Sequence, residues 1–287
     1  MTPLRALPSA LCLALLGCGA TQPAGSAESS RDVALAGFEA LLVDFDVDAA
    51  RARFAPDYIQ HNPAVPTGAE AAISVIPALA ESGLRSTVHR VIAEDDLVVL
   101  HVTYENAGFF GAETLVSFDV FRVEGDRVVE HWDNLQAPPA TTVSGRSMTD
   151  GPTAITDLAR TEANRAFVEE FAEVVLLGGA FDRLGEYITD APGAYHQHNP
   201  GIGDGLDGLV TAFTALEEAG QALVYTRIHR VVAEGNFVFW MAEGTLGGVP
   251  TAFFDLFRLE DGKIVEHWDT VATIPPPEDF AHANGKF

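Results

Sequence analysis

Taken as apolar and polar positions alone, the chain runs through the same succession twice. Residues 32–54 (DVALAGFEALLVDFDVDAARARF) and 161–188 (TEANRAFVEEFAEVVLLGGAFDRLGEYI) space their apolar side chains three and four apart, which lines one face of a helix. A further helical stretch follows in each half, GAEAAISVIPALAESG at 68–83 and GLDGLVTAFTALEEAG at 205–220. Beyond it three or four strands are predicted. The last pair is the clearest: in VEGDRVVEH (123–131) and LEDGKIVEH (259–267) a Gly-Asp or Asp-Gly turn separates two apolar runs, a hairpin signal. Helices followed by an antiparallel meander give each half an α+β layout.

The repetition extends to residue identities. Tyr-x-Gln-His-Asn-Pro occurs at 58–63 and at 195–200, each time with a glycine (Gly68, Gly205) downstream. VHRVIAEDDLVVL (88–100) matches IHRVVAEGNFVFW (228–240), and FDVFRVEGDRVVEHWD (118–133) matches FDLFRLEDGKIVEHWD (254–269). The order is the same in both halves and only the intervening lengths differ, as loops allow. So long a period is that of a domain, not of a solenoid unit. Two domains are expected at 32–137 and 159–274. Residues 138–158, rich in Pro, Gly, Ser and Thr, form a linker, and 275–287, which begins in a run of prolines, an extended tail.

Composition narrows the partners. The chain is 47% hydrophobic and 20% charged, enough apolar material for real cores. Its 41 acidic residues against 17 basic ones give a formal net charge of −24 and leave no basic run, which argues against nucleic acid as a partner. The opening MTPLRALPSALCLALLGCGA has one arginine and then an apolar run too short to span a bilayer, and residues 1–17 read as an export signal. Leu15-Leu16-Gly17-Cys18 resembles the bacterial lipobox, which implies a lipid on Cys18 and a place in the cell envelope, periplasmic or at the cell surface. The membrane would then be met only through that anchor, with 18–31 as a flexible tether. Cys12 and Cys18 are the only cysteines, so thiol catalysis and cysteine metal sites are excluded from the mature chain.

The succession of helices, Gln-His-Asn-Pro, the His-Arg-Val strand and the closing G..VEHWD segment resembles the SnoaL-like branch of the NTF2-like superfamily, which includes polyketide cyclases and proteins expected to catalyse aldol condensations. The resemblance covers both halves. It implies two tandem cone folds, each a curved antiparallel sheet wrapped by helices around an apolar pocket. Such domains often pair through their sheets, within one chain as a pseudo-dimer or between chains as a homodimer.

Alternation on the last strand puts His131 and Asp133 on one face and Glu130 and Trp132 on the other, and likewise His267 and Asp269 against Glu266 and Trp268. In the cyclases the position matching Asp133 and Asp269 carries the acid/base aspartate, which removes a proton next to a ketone. That work needs a carboxylate whose pKa is raised by an apolar pocket, and donors for the enolate oxygen. His131, His267 and the Gln60-His61-Asn62 and Gln197-His198-Asn199 groups are the candidates to polarise or bind a substrate. His89 and His229 join them, as do Asp119 and Asp255, which stand where the cyclases place a histidine. Bland alternatives exist for each: a strand-end carboxylate, a loop-fixing imidazole, a half-buried histidine beside valine, a tryptophan packing a core. Arg90 and Arg230 are expected to pair with acids such as Glu94 and Glu234.

Two readings follow. In one, each half encloses a pocket for a small apolar carbonyl-containing molecule, and Asp133 and Asp269 are bases for aldol-type cyclisation or isomerisation, without cofactor or metal. In the other, the domains form a non-catalytic ligand-binding or scaffold lipoprotein. Hydrolysis around an Asp119–Arg90–Asp133 arrangement is a third possibility that no spacing demands. An open pocket with several polar groups would favour an enzyme, and one filled by aromatic rings a scaffold.

Overall fold

A computed structural model describes residues 29–287. The signal at 1–17, Cys18 and nearly all of the tether lie outside the described residues. Among the described residues no helix is long and apolar enough to cross a membrane.

The first half opens with α1 (Ser30–Leu42), started by a capping box between Ser29 and Asp32, and α2 (Val47–Arg53), capped by Asp46. Strand β1 (Phe54–Gln60) follows directly. The stretch expected as one helix at 68–83 is two, α3 (Ala69–Ser74) and α4 (Ile76–Ser82), because Pro77 can begin a helix but not continue one. The meander is β2 (Arg85–Glu94), β3 (Leu97–Glu105), β4 (Thr114–Glu124) and β5 (Arg127–Gln136). The second half repeats this with α5 (Thr161–Phe171), α6 (Leu184–Tyr187), β6 (His196–Gln197), α7 (Gly205–Glu218), β7 (Leu223–Glu234), β8 (Phe237–Leu246), β9 (Val249–Glu260) and β10 (Lys263–Thr273). Here the helix after the motif loop is unbroken, having no proline.

Each half is thus α+β, with a five-stranded sheet ordered β1-β5-β4-β3-β2 or β6-β10-β9-β8-β7. The meander is antiparallel. The strand that alternation does not reveal is β1, or its two-residue counterpart β6, which lies parallel to the last strand. Its register sets Gln60 beside His131 and Gln197 beside His267, bringing the two repeated motifs of each half together.

Each sheet buries both faces. One packs on its own helices, around Phe38, Phe54, Tyr104 and Phe121 in the first half and Phe171, Tyr187, Trp240 and Phe257 in the second. The other faces join in a shared core built from Phe118, Val120, Trp132, Phe239, Phe254 and Trp268. Contacts across this interface come in pairs. Arg90 lies over the Trp268 ring at 4.2 Å and Arg230 over Trp132 at 4.6 Å, each a cation–π contact. Arg31 pairs with Glu234, and Arg165 with Glu94, whose carboxylates also accept from the Ala93 and Ala233 amides of the opposite half. The expected partners of Arg90 and Arg230 are therefore corrected: Glu94 and Glu234 are taken by Arg165 and Arg31, and the aromatic faces take Arg90 and Arg230.

Candidate functional site

The Gln-His-Asn-Pro loop alternates its side chains as a strand end does. Gln60 and Asn62 turn inward to the helix-covered face, and His61 turns outward. Gln60 Oε1 accepts from the His61 and Asn62 amides at 2.9 and 2.8 Å, which fixes the amide's orientation, and also faces His131 Nδ1 at 3.1 Å. Asn62 closes a turn onto the Ala64 amide and donates Nδ2 to Asp133 Oδ2 at 2.6 Å. The repeated glycine ends the loop: the amides of Gly68 and Gly205 donate to Tyr58 and Tyr195 carbonyls at 2.8 and 3.1 Å with φ of +96° and +77°, a conformation that favours glycine.

The second half shows the chemistry most fully. His267 Nδ1 faces Gln197 Oε1 at 2.9 Å and Nε2 faces Asp255 Oδ1 at 3.0 Å. Both partners are acceptors, so the ring that satisfies both is the imidazolium. Burial opposes that charge, yet the hydrogen bond to Asp255 and the charges of Asp269 and Asp255 outweigh it and hold the His267 pKa above the ordinary histidine value. Asp255 is saturated as an acceptor: Tyr225 Oη donates to it at 3.1 Å and Trp240 Nε1 at 2.6 Å. Asp269 is not. Asn199 Nδ2 donates to its Oδ2 at 2.6 Å, while Oδ1 is buried without a hydrogen bond. Desolvation, with a smaller push from the charge of Asp255, raises the Asp269 pKa to about 6 against the pull of His267 and Asn199.

Asp255, His267 and Asp269 line a cavity of about 540 Å³ with Gln197, Asn199 and Tyr195. The rest of the wall is largely apolar, including Phe171, Leu209, Phe213 and Phe253, and Gln136 reaches in from the first half. This is the size and character of a small-molecule site. Gln197 Nε2 donates to the Tyr195 hydroxyl at 3.1 Å, which leaves the hydroxyl's own proton available for a ligand oxygen.

The first half has the same constellation. His131 Nε2 faces Asp119 Oδ1 at 3.1 Å, Tyr104 Oη donates to Asp119 Oδ2 at 3.0 Å, and Asp133 Oδ1 again lacks a hydrogen bond. The two halves supply the tyrosine from different strands: Tyr104 on β3 lies across from Ser86, and Tyr225 on β7 lies across from Gly244. The exchange across a strand pair hides the equivalence in the sequence.

Several expected site residues lie elsewhere. His61 and His198 stack on Trp132 and Trp268 at 4.9 and 4.7 Å and face Glu130 and Glu266 at 2.8 and 3.0 Å, away from the aspartates. They brace the loop because, on a strand end, the residue between two inward ones points outward. His89 faces Thr103 Oγ1 at 2.8 Å, and His229 stacks on Phe287 at 4.1 Å. Neither belongs to the constellation. His131 and His267 do, but both ring nitrogens are engaged with Gln and Asp, so neither can polarise a substrate by donating a proton. Arg90, facing Trp268 and the carbonyls of Thr149, Asp150 and Pro152, is no partner for a hydrolytic pair of aspartates.

The clusters Asp119–His131–Asp133 and Asp255–His267–Asp269 each bring three potential metal-ligand atoms within 4.8 Å of one another. In the second, the imidazole nitrogens and the Asp255 oxygens are spent on one another and on Gln197, Tyr225 and Trp240, so a cation would have to break the imidazolium–carboxylate pair.

Comparison with known proteins agrees with this architecture. The family model for the SnoaL-like domain matches residues 35–131 and again 165–267. Among solved structures, TsrD from Streptomyces laurentii is 24% identical over 38% of this chain and 92% of its own, with a TM-score of 0.33. IdmH, a candidate polyketide cyclase from Streptomyces antibioticus, is 22% identical over 38% and 93%, with a TM-score of 0.32. An NTF2-like protein of unknown function from Cytophaga hutchinsonii is 17% identical over 39% and 95%, with a TM-score of 0.33. No curated protein sequence matches.

Proposed function

Because the chain belongs to the SnoaL-like family, with the domain present in each half, we propose that its second half binds a small apolar ketone or related carbonyl compound and removes a proton from the adjacent carbon. The open Asp269 Oδ1, buried in an apolar cavity, carries this reading. A carboxylate with a pKa of about 6 is largely ionised at neutral pH and still a stronger base than an ordinary aspartate. The C–H bond breaks toward Asp269 Oδ1, and its electron pair moves to the carbonyl oxygen, where the Tyr195 hydroxyl is the donor on the wall. Returning the proton to another carbon completes an isomerisation. In an aldol closure the enolate carbon bonds to a second carbonyl carbon of the same molecule, whose π electrons pass to its oxygen, and that alkoxide takes the proton back from Asp269. Asn199 aims the base by holding Oδ2. His267 contributes positive charge and anchors Asp255, but transfers no proton.

Independently of that chemistry, we propose an exported envelope protein held by a lipid on Cys18, a reading supported by the leader pattern that ends in Leu15-Leu16-Gly17-Cys18.

The test is exchange of α-protons in neutral two- and three-ring ketones dissolved in D2O, followed by NMR. The wild-type chain is expected to accelerate exchange, and Asp269→Asn to lose about 10²- to 10⁴-fold of that acceleration. Binding of the ketones without exchange would replace this reading with the ligand-carrying one.

A further inference from the structure

The loops that carry the two sites are held by segments the sequence shows only as linker and tail. The Val143 amide donates to the Pro200 carbonyl at 3.0 Å, and the Ala281 amide to the Pro63 carbonyl at 2.8 Å. Four residues on, the Ser147 carbonyl meets His198 Nδ1 at 2.7 Å and the Gly285 carbonyl meets His61 Nδ1 at 2.9 Å. Residues 143–148 and 281–286 are one structural element present twice, with almost no shared sequence. Each follows the last strand of its own half and crosses to strap the motif loop of the other.

The next residue of each strap is buried: Met148 on the second half, Lys286 on the first. Lys286 Nζ donates to the Asp133 carbonyl at 2.5 Å and stands 3.7 Å from Asp133 Oδ1, the oxygen that has no hydrogen bond. In the other strap the residue matched to Lys286, one beyond the carbonyl that meets the motif-loop histidine, is the buried and uncharged Met148. Beyond the extra Trp240 donor on Asp255, the two constellations therefore differ in how the second carboxylate is balanced. Asp133 has an ammonium beside it; Asp269 has none from its strap.

We propose that the straps divide the labour between the halves: Lys286 holds Asp133 as a fixed carboxylate, and Met148, by supplying no cation, leaves Asp269 to take up and release the proton. The proposal rests on the reading of Asp269 as the base and adds that one chain has one proton-transfer site instead of two. Lys286 is a positioning residue. Burial lowers the pKa of its ammonium, and Asp133 is what keeps the charge in place.

Infrared spectra of the full chain just below the Asp269 value test this, since a buried protonated carboxyl gives its own carbonyl band. Wild type should show one such band, absent in Asp269→Asn. Lys286→Met in the Asp269→Asn background should restore one band, which Asp133→Asn removes again. Met148→Lys alone should abolish the Asp269 band. A chain ending at Gly285 serves in place of Lys286→Met should that variant not fold. Folded Lys286→Met/Asp269→Asn without a band, or Met148→Lys with the band intact, overturns the proposal and leaves the straps as braces only. Failure of ketone exchange in wild type, with the bands behaving as stated, instead sinks the catalytic reading alone.

Discussion

Replacing Asp269 by asparagine should make the protein more stable, by an amount that depends on pH in a definite direction. Folding raises this carboxyl from the ordinary 3.8 to about 6, chiefly because burial disfavours its charge. A group whose folded pKa lies above its unfolded one holds its proton more tightly in the native state. Its stabilising contribution is therefore full below pH 4 and is lost as pH rises through 6. A shift of about two units corresponds to roughly 3 kcal/mol of native-state stability given up once the carboxylate is ionised. Asparagine keeps the size and accepts the Asn199 hydrogen bond without the charge. Urea denaturation of wild type and Asp269→Asn, followed by tryptophan fluorescence from pH 4 to pH 8, measures the difference. If the halves unfold separately, the transition that the substitution moves is the one to use. The gap should be near zero at pH 4 and open to about 3 kcal/mol in favour of the variant above pH 6. Curves that stay parallel across that range would show that Asp269 is not desolvated in the native state and refute the argument for a poised base.

Other consequences are as direct. Asp255→Asn strips the charge that His267, Tyr225 and Trp240 converge on and should cost about 3–5 kcal/mol in denaturation experiments, with the His267 pKa falling when followed by NMR. Tyr195→Phe should leave the fold intact but slow ketone exchange about 10²-fold, the effect of losing one donor to a developing oxyanion. Trp268→Ala removes a fully buried ring of the shared core and the platform of Arg90, and should cost about 3–5 kcal/mol by the same denaturation assay. Gly244→Ala should lower the melting temperature through a loss of about 1–3 kcal/mol, since a Cβ there would come within 1.9 Å of the Val224 carbonyl oxygen.

Alternation on β5 and β10 was enough to separate His131 and Asp133 from Glu130 and Trp132, because side-chain direction on a strand is a local property. The α+β order of each half was legible for the same reason. What escaped is non-local. Nothing in FAPDYIQ or HQ announces a strand whose only partner is the far end of the domain, yet that pairing sets Gln60 against His131. The outward turn of His61 and His198 follows from it and could not precede it. Tyr104 and Tyr225 occupy different strands, so matching the halves residue by residue does not find them. The strap residues Met148 and Lys286 share a place, not a sequence.

The crossing of the straps also bears on how two sites in one molecule can come to differ. Two separate copies of a half-length chain, each strapping the other, would carry the same residue at both strap stations, and any substitution would appear in both sites at once. Joining the halves covalently removes that symmetry. A lysine can stand at residue 286 and a methionine at residue 148, so one half is free to change its chemistry while the other continues to support the shared core.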